Sequence, residues 1–207
     1  MQAKRCLKLV KFVCSLLLVV SVAACKPPAE KPSEPVVNTF ATNITGADFA
    51  QTLSLTDHNG KAVTLADYKG KAVVLFFGYT HCPDVCPTTM SDMNLALKKM
   101  SANASKVQVL FVTLDPVRDT QAVLASYVPS FNKSFIGLRG TEQQTQEVAK
   151  NFKIYYSQQA EAGKSGYVID HSAGLYAFDA LGKIRLYINY GQKPDQIAHD
   201  LNVLLQG

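Results

Sequence analysis

A mixed α/β fold built round a parallel βαβ unit follows from three features of the chain. Ala72 to Phe77 is an unbroken apolar run rich in β-formers, as expected of a strand buried on both faces, and Val107 to Leu114 repeats the pattern. Between them Met90, Met93, Leu97 and Met100 recur at spacings of three, four and three, which draws one apolar helix face. After this unit come an antiparallel hairpin and a closing helix.

Taken in order, Leu53 to Leu65 alternates around His58-Asn59-Gly60, a hairpin turn signal. The βαβ unit follows. Asp119-Thr120 can cap a helix carrying Val123, Leu124 and Tyr127, and Thr141 to Phe152 reads as another. Tyr167 to Ile169 and Leu175 to Phe178 read as strands, and Asp179-Ala180-Leu181-Gly182 turns the chain into Ile184 to Tyr190. Lys193-Pro194-Asp195 then opens a last helix with Ile197, Leu201, Leu204 and Leu205 on one face. A βαβ half followed by an antiparallel hairpin and a closing helix is the order of a thioredoxin-like fold, here with an N-terminal β-hairpin extension.

The first residues are of a different kind. Lys4, Arg5, Lys8 and Lys11 precede an apolar or small run from Phe12 to Ala24 that ends at Cys25, the layout of a secretory signal. A spanning helix needs about 20 apolar residues, and this run falls short of that, so a permanent transmembrane anchor is the weaker reading. Val22-Ala23-Ala24-Cys25 resembles the lipobox of bacterial lipoproteins, which makes Cys25 the expected lipid attachment point, with ordinary signal cleavage as the alternative. Residues 1–24 are thus expected as a signal peptide, 25–39 as a lipid-attached proline-rich tether, and 40–207 as the folded domain. The expected location is outside the cytoplasm, anchored to a bacterial membrane and facing the periplasm in a Gram-negative cell. Removing residues 1–24 takes away four basic residues and no acidic one, so the net charge falls from +5 to +1. Nothing left clusters Lys and Arg among aromatics, which excludes a nucleic-acid partner.

The mature domain keeps two cysteines, Cys82 and Cys86, in the stretch from Gly78 to Pro87, after a strand and at the opening of a helix. Four residues apart on a helix, side chains lie about 6 Å apart at Cβ, close enough for both sulfurs to meet one metal ion or each other. A helix N-terminus favours thiolate, the form that binds metal and attacks disulfides. Two soft thiolates suit Cu(I) or zinc over a hard cation. Export places the pair where disulfides persist, so its redox state is part of the question.

Such a site needs a third ligand. His171 is the best candidate, standing directly after the short strand Tyr167 to Ile169 and beside Asp170, which accepts from the second ring nitrogen only if the backbone turns suitably. The alternative is a structural histidine. His81, beside Cys82, reads as a ligand, a proton donor or an exposed loop residue, while His58 in a turn and His199 on the closing helix read as structural. Met90, Met93 and Met100 carry thioethers that bind Cu(I), yet their spacing is that of a buried stripe. Asp115, Arg118 and Asp119 lie in a loop that can flank the site, and a local ion pair plus a helix cap explains them equally well. Asp84 is either a carboxylate near the metal or a first-turn acid favouring the helix dipole.

YTHCPDVCP, VTLDPVRDT and YVIDHSAGLYAFDALG, in that order, resemble the Sco/SenC family of membrane-tethered copper chaperones, and the resemblance runs from about Leu53 to the C-terminus. It implies that Cys82, Cys86 and His171 bind one copper ion, as Cu(I) or Cu(II), and that a Cys82–Cys86 disulfide abolishes binding. It implies a role in delivering copper to, or preparing the cysteines of, the dinuclear copper site of cytochrome c oxidase subunit II or a related acceptor. A copper donor protein and a thioredoxin-like reductant are the other implied partners. Where many members have proline after the DT of the second motif, this chain has Gln121. The expected activity is therefore a non-enzymatic chaperone. A thiol-disulfide reductase, attacking through Cys82 and resolving through Cys86, is the rival, ahead of a peroxidase and a structural disulfide.

Overall fold

The computed structural model describes residues 38–50, 52–160 and 166–206. The expected signal segment, Cys25 and nearly all of the expected tether lie outside the described residues. In chain order the elements are β1 (Thr42–Asn43), the hairpin β2 (Ser54–Asp57) and β3 (Ala62–Thr64), β4 (Ala72–Gly78), α1 (Val85–Lys99), β5 (Val107–Thr113), α2 (Gln121–Phe131), β6 (Ile136–Arg139), α3 (Glu142–Asn151), the pair β7 (Tyr156–Ala160) and β8 (Tyr167–His171), β9 (Leu175–Phe178), β10 (Ile184–Ile188) and α4 (Pro194–Leu204).

Strands β4, β5 and β6 run parallel at the centre, with Phe76 opposite Phe111 and Phe111 opposite Gly137. The sheet order is β1-β10-β9-β4-β5-β6-β2-β3, so the antiparallel β9–β10 hairpin extends one side and the β2–β3 hairpin the other. This is the thioredoxin-like arrangement with its hairpin extension. The second sheet holds β7 and β8 alone.

The unbroken apolar runs of β4 and β5 exist because both faces are covered. On one face Val74, Phe76, Val109 and Phe111 pack with Met90 and Met93 of α1 and Leu201 of α4. On the other, Leu75, Phe77, Leu110 and Val112 pack with Val148 of α3 and the adjoining Phe152. Met90, Met93 and Met100 are all buried in the first of these cores, as their spacing predicts.

Local chemistry explains the turns. The Asp57 carboxylate accepts from the backbone N–H groups of Asn59 and Lys61, and Gly60 adopts φ 87°, which closes the β2–β3 hairpin. Thr120 caps α2 by accepting from Val123 N–H, and Thr141 caps α3 through a reciprocal box with Gln144. Asp119, expected to share the capping of α2, turns inward instead and is fully buried. Strand β8 runs two residues beyond the expected Ile169, so His171 is the last residue of the strand and does not follow it.

Candidate metal centre

Only one of the two cysteines is on the helix. Asp84 is the N-cap of α1, which leaves Cys86 in the first turn and Cys82 in the preceding turn, where its N–H donates to Tyr79 O at 3.3 Å. The expectation of two sulfurs stacked on one helix face is corrected accordingly. What brings them together is a cap: the Asp84 carboxylate makes no capping bond, and Cys82 Sγ takes the Cys86 N–H at 3.4 Å. Cys86 is buried and Cys82 half-buried, and neither is in a disulfide.

The floor under Cys86 is Gly78, the last residue of β4. A Cβ there would stand 2.8 Å from Cys86 Sγ and 3.0 Å from Phe111 Cε2, so the sulfur occupies the room a side chain would need.

His171 reaches the sulfurs from β8. Its Nε2 is 3.5 Å from Cys86 Sγ, and one ligand atom each from Cys82, Cys86 and His171 all lie within 4.8 Å of one another. The ring packs edge-on to Tyr79, with centroids 6.0 Å apart, and tilted against Phe76. Its Nδ1 lies 2.9 Å from Ser172 O. A carbonyl only accepts, so Nδ1 carries the hydrogen and the Nε2 lone pair faces the sulfurs. The orienting acceptor is thus the Ser172 carbonyl and not Asp170, which is exposed on the preceding residue of the strand and so points to the opposite side.

The two thiols are pushed apart in acidity. Cys82 is held well below the usual thiol range, chiefly because the Cys86 thiol donates to it, with help from the N–H groups of Cys86 and Asp84. Cys86 is pushed up, because its proton bridges to Cys82 and because it is buried.

Around the three lies a polar frame hung from the loop after β5. Asp115 is buried, pairs with Arg118 Nε and accepts from the Tyr167 hydroxyl at 2.8 Å. Arg118 Nη1 donates to Tyr167 O at 2.8 Å, and its guanidinium lies 3.6 Å over the Tyr167 ring. Asp119 accepts from Thr80 N–H, the Thr80 hydroxyl and the Thr113 hydroxyl at 3.0, 2.6 and 2.6 Å. Thr113 in turn accepts from the Asp115 backbone N–H, which links the Asp119 carboxylate to the Asp115 main chain. Ile169 N–H donates to the Tyr79 hydroxyl at 3.1 Å.

The remaining candidates fall outside this frame or at its edge. His81 is exposed and leans on Asp119, with Nδ1 3.6 Å from Oδ1. Asp84 is exposed and accepts from the Thr88 hydroxyl. His58 accepts from Gly137 N–H and His199 contacts Asn38 O, both as structural histidines.

The SCO1/SenC family model matches residues 41–206. The chain belongs to that family. A SCO2-like protein of Rickettsia felis is 34% identical over 170 residues, covering 81% of each chain. ScoI of Bradyrhizobium japonicum, solved with copper bound, is 38% identical with a TM-score of 0.68, over 74% of this chain and 98% of its own. BsSco, described as carrying a disulfide switch and as a member of the Sco family of cytochrome c oxidase assembly proteins, shares the fold at 21% identity and TM-score 0.60, over 81% and 96% of the two chains.

In this SCO1/SenC chain the sequence points to the cysteines and His171, and to the loop of Asp115, Arg118 and Asp119 as either a flank of the site or an ion pair and helix cap, but not to Gly78, Tyr79, Thr113 and Tyr167. Gly78 alone left a trace, as a glycine closing an otherwise apolar strand just before the cysteine motif.

Proposed function

We propose that the protein carries one copper ion on Cys82, Cys86 and His171 and hands it to an acceptor such as the dinuclear copper site of cytochrome c oxidase subunit II. The observation that carries this is the convergence of two sulfurs and one oriented imidazole nitrogen within 4.8 Å, a soft donor set suited to copper in either oxidation state. The copper-bound ScoI relative supports it. Copper is cargo here. Cys82 offers a ready thiolate, Nε2 of His171 a ready lone pair, and Cys86 a second thiolate once its proton leaves. The acceptor's ligands then replace these three one at a time. In the same reading Cys25 carries the lipid that holds the domain at the membrane outside the cytoplasm, a donor protein supplies the copper, and a thioredoxin-like reductant keeps the pair reduced.

The test is copper stoichiometry and affinity of the reduced protein beside its His171→Ala variant. One bound copper per chain, weakened in the variant, is the expected result. Equal affinity in the two would remove His171 from the site.

A second reading, reduction of an exported protein's disulfide, is favoured by the accessible low-pKa thiolate. Cys82 attacks the target disulfide and releases one target thiolate, and Cys86 loses its proton and attacks the mixed disulfide. The target leaves as a dithiol and this chain as a Cys82–Cys86 disulfide, which an external dithiol reduces again. His171→Ala leaves most of this activity intact.

A further inference from the structure

We propose that Arg118, acting with Asp115 and Tyr167, is a positioning residue that sets the reach of His171 toward the two sulfurs. The inference builds on the copper reading of the site, and one of its two tests is independent of copper.

His171 does not come from the sheet that carries the cysteines. It ends β8, whose ladder partner is β7, and these two form a sheet of their own among the described residues. The position of the imidazole therefore depends on what ties this ribbon to the loops above the main sheet. One tie is the Ile169 N–H bond to Tyr79. The others meet at Tyr167, four residues before His171: its carbonyl accepts from Arg118 Nη1, its hydroxyl donates to Asp115, and its ring lies under the guanidinium. Arg118 Nε closes the circle on Asp115.

This geometry needs arginine. One planar group donates from Nε to a carboxylate and from Nη1 to a carbonyl while stacking on a ring, which a lysine ammonium cannot do. Arg118 Nη2 is buried with no hydrogen-bond partner. An unpaired buried donor costs free energy, so the residue is kept in place by its other contacts. Asp115 is also wired through Thr113 to Asp119 and hence to Thr80 beside the cysteine turn. One loop thus fixes both halves of the site, and Arg118 is its grip on the histidine half.

The test compares wild type, Arg118→Leu and Tyr167→Phe, each alone and with His171→Ala. In the reduced metal-free protein, Arg118→Leu is expected to speed exchange of the Ile169 amide about tenfold. It is also expected to move the His171 ring resonances toward those of a free imidazole, as the Phe76 and Tyr79 rings cease to flank it. Copper affinity is expected to fall about 10- to 100-fold, as for loss of a group that orients a ligand. In the His171→Ala background the same substitution is expected to change it no further. Tyr167→Phe keeps the stacked ring and removes one hydrogen bond, so it carries the test in the same direction if Arg118→Leu does not fold. Unchanged His171 resonances, or an equal loss of affinity in both backgrounds, would overturn the proposal. A wild-type protein that binds no copper would instead sink the copper reading, and the metal-free spectra would still decide the clamp.

Discussion

Cys86 is placed by what its neighbours lack. Gly78 offers no Cβ, and the sulfur fills that space at 2.8 Å from where one would stand. Gly78→Ala is expected to destabilise the fold by about 1–3 kcal/mol through overpacking, and to weaken copper binding by moving the sulfur. Urea denaturation and a copper titration on the same variant check the two effects. Asp119 is the second such residue: fully buried, it satisfies the Thr113 hydroxyl and two groups of Thr80. Asp119→Ala leaves these donors behind and is expected to cost about 1–3 kcal/mol for each one that water does not reach. His81→Ala, at a half-exposed side chain, is expected to stay within about 0.5 kcal/mol of wild type. The candidate ligands were legible in the sequence because cysteine and histidine carry their chemistry wherever they stand. Asp119 was legible only in part: its loop was expected near the site, but an aspartate before a threonine and a helix also reads as a cap until the tertiary fold turns it inward.

Elements with one strong local pattern were legible and those defined by a distant partner were not. The buried runs of β4 and β5 and the methionine stripe of α1 each announce themselves within a few residues. Strand β1 is two residues long and exists only because β10, far along the chain, pairs with it. Strand β6 is four residues long and includes a glycine, and β7 is mostly polar with its last three residues exposed, so neither shows a period. The ribbon that delivers His171 was for that reason half invisible. Helix α3 lies on the sheet face away from the cysteines, which makes its cap a clean control. Thr141→Ala is expected to remove about 1 kcal/mol of stability while copper affinity stays at the wild-type value, as read by thermal unfolding and copper titration of one sample.

Over the whole molecule, the described N-terminal residues are latched to the C-terminal helix. Asp200, fully buried on α4, accepts from the backbone N–H groups of Phe40 and Ala41 at 2.9 and 2.8 Å and from Gln192 at 2.7 Å. The opposite face of the sheet is sealed by Tyr176, whose hydroxyl donates to Phe152 O and whose burial pushes its pKa from 10.0 up to about 12. The folded state keeps this phenol neutral where the unfolded chain would ionise it. The stability that Tyr176 contributes is therefore fully present below about pH 10 and is lost as pH rises toward 12, which melting temperatures taken between pH 8 and 12 will show. The bond from His171 Nδ1 to the Ser172 carbonyl carries a different consequence. It leaves Nε2 as the nitrogen turned to the sulfurs, so the ring need not flip to meet a metal. A donor set turned inward before the metal comes has little to reorganise on loading or on release, so the fold and not the metal sets its geometry.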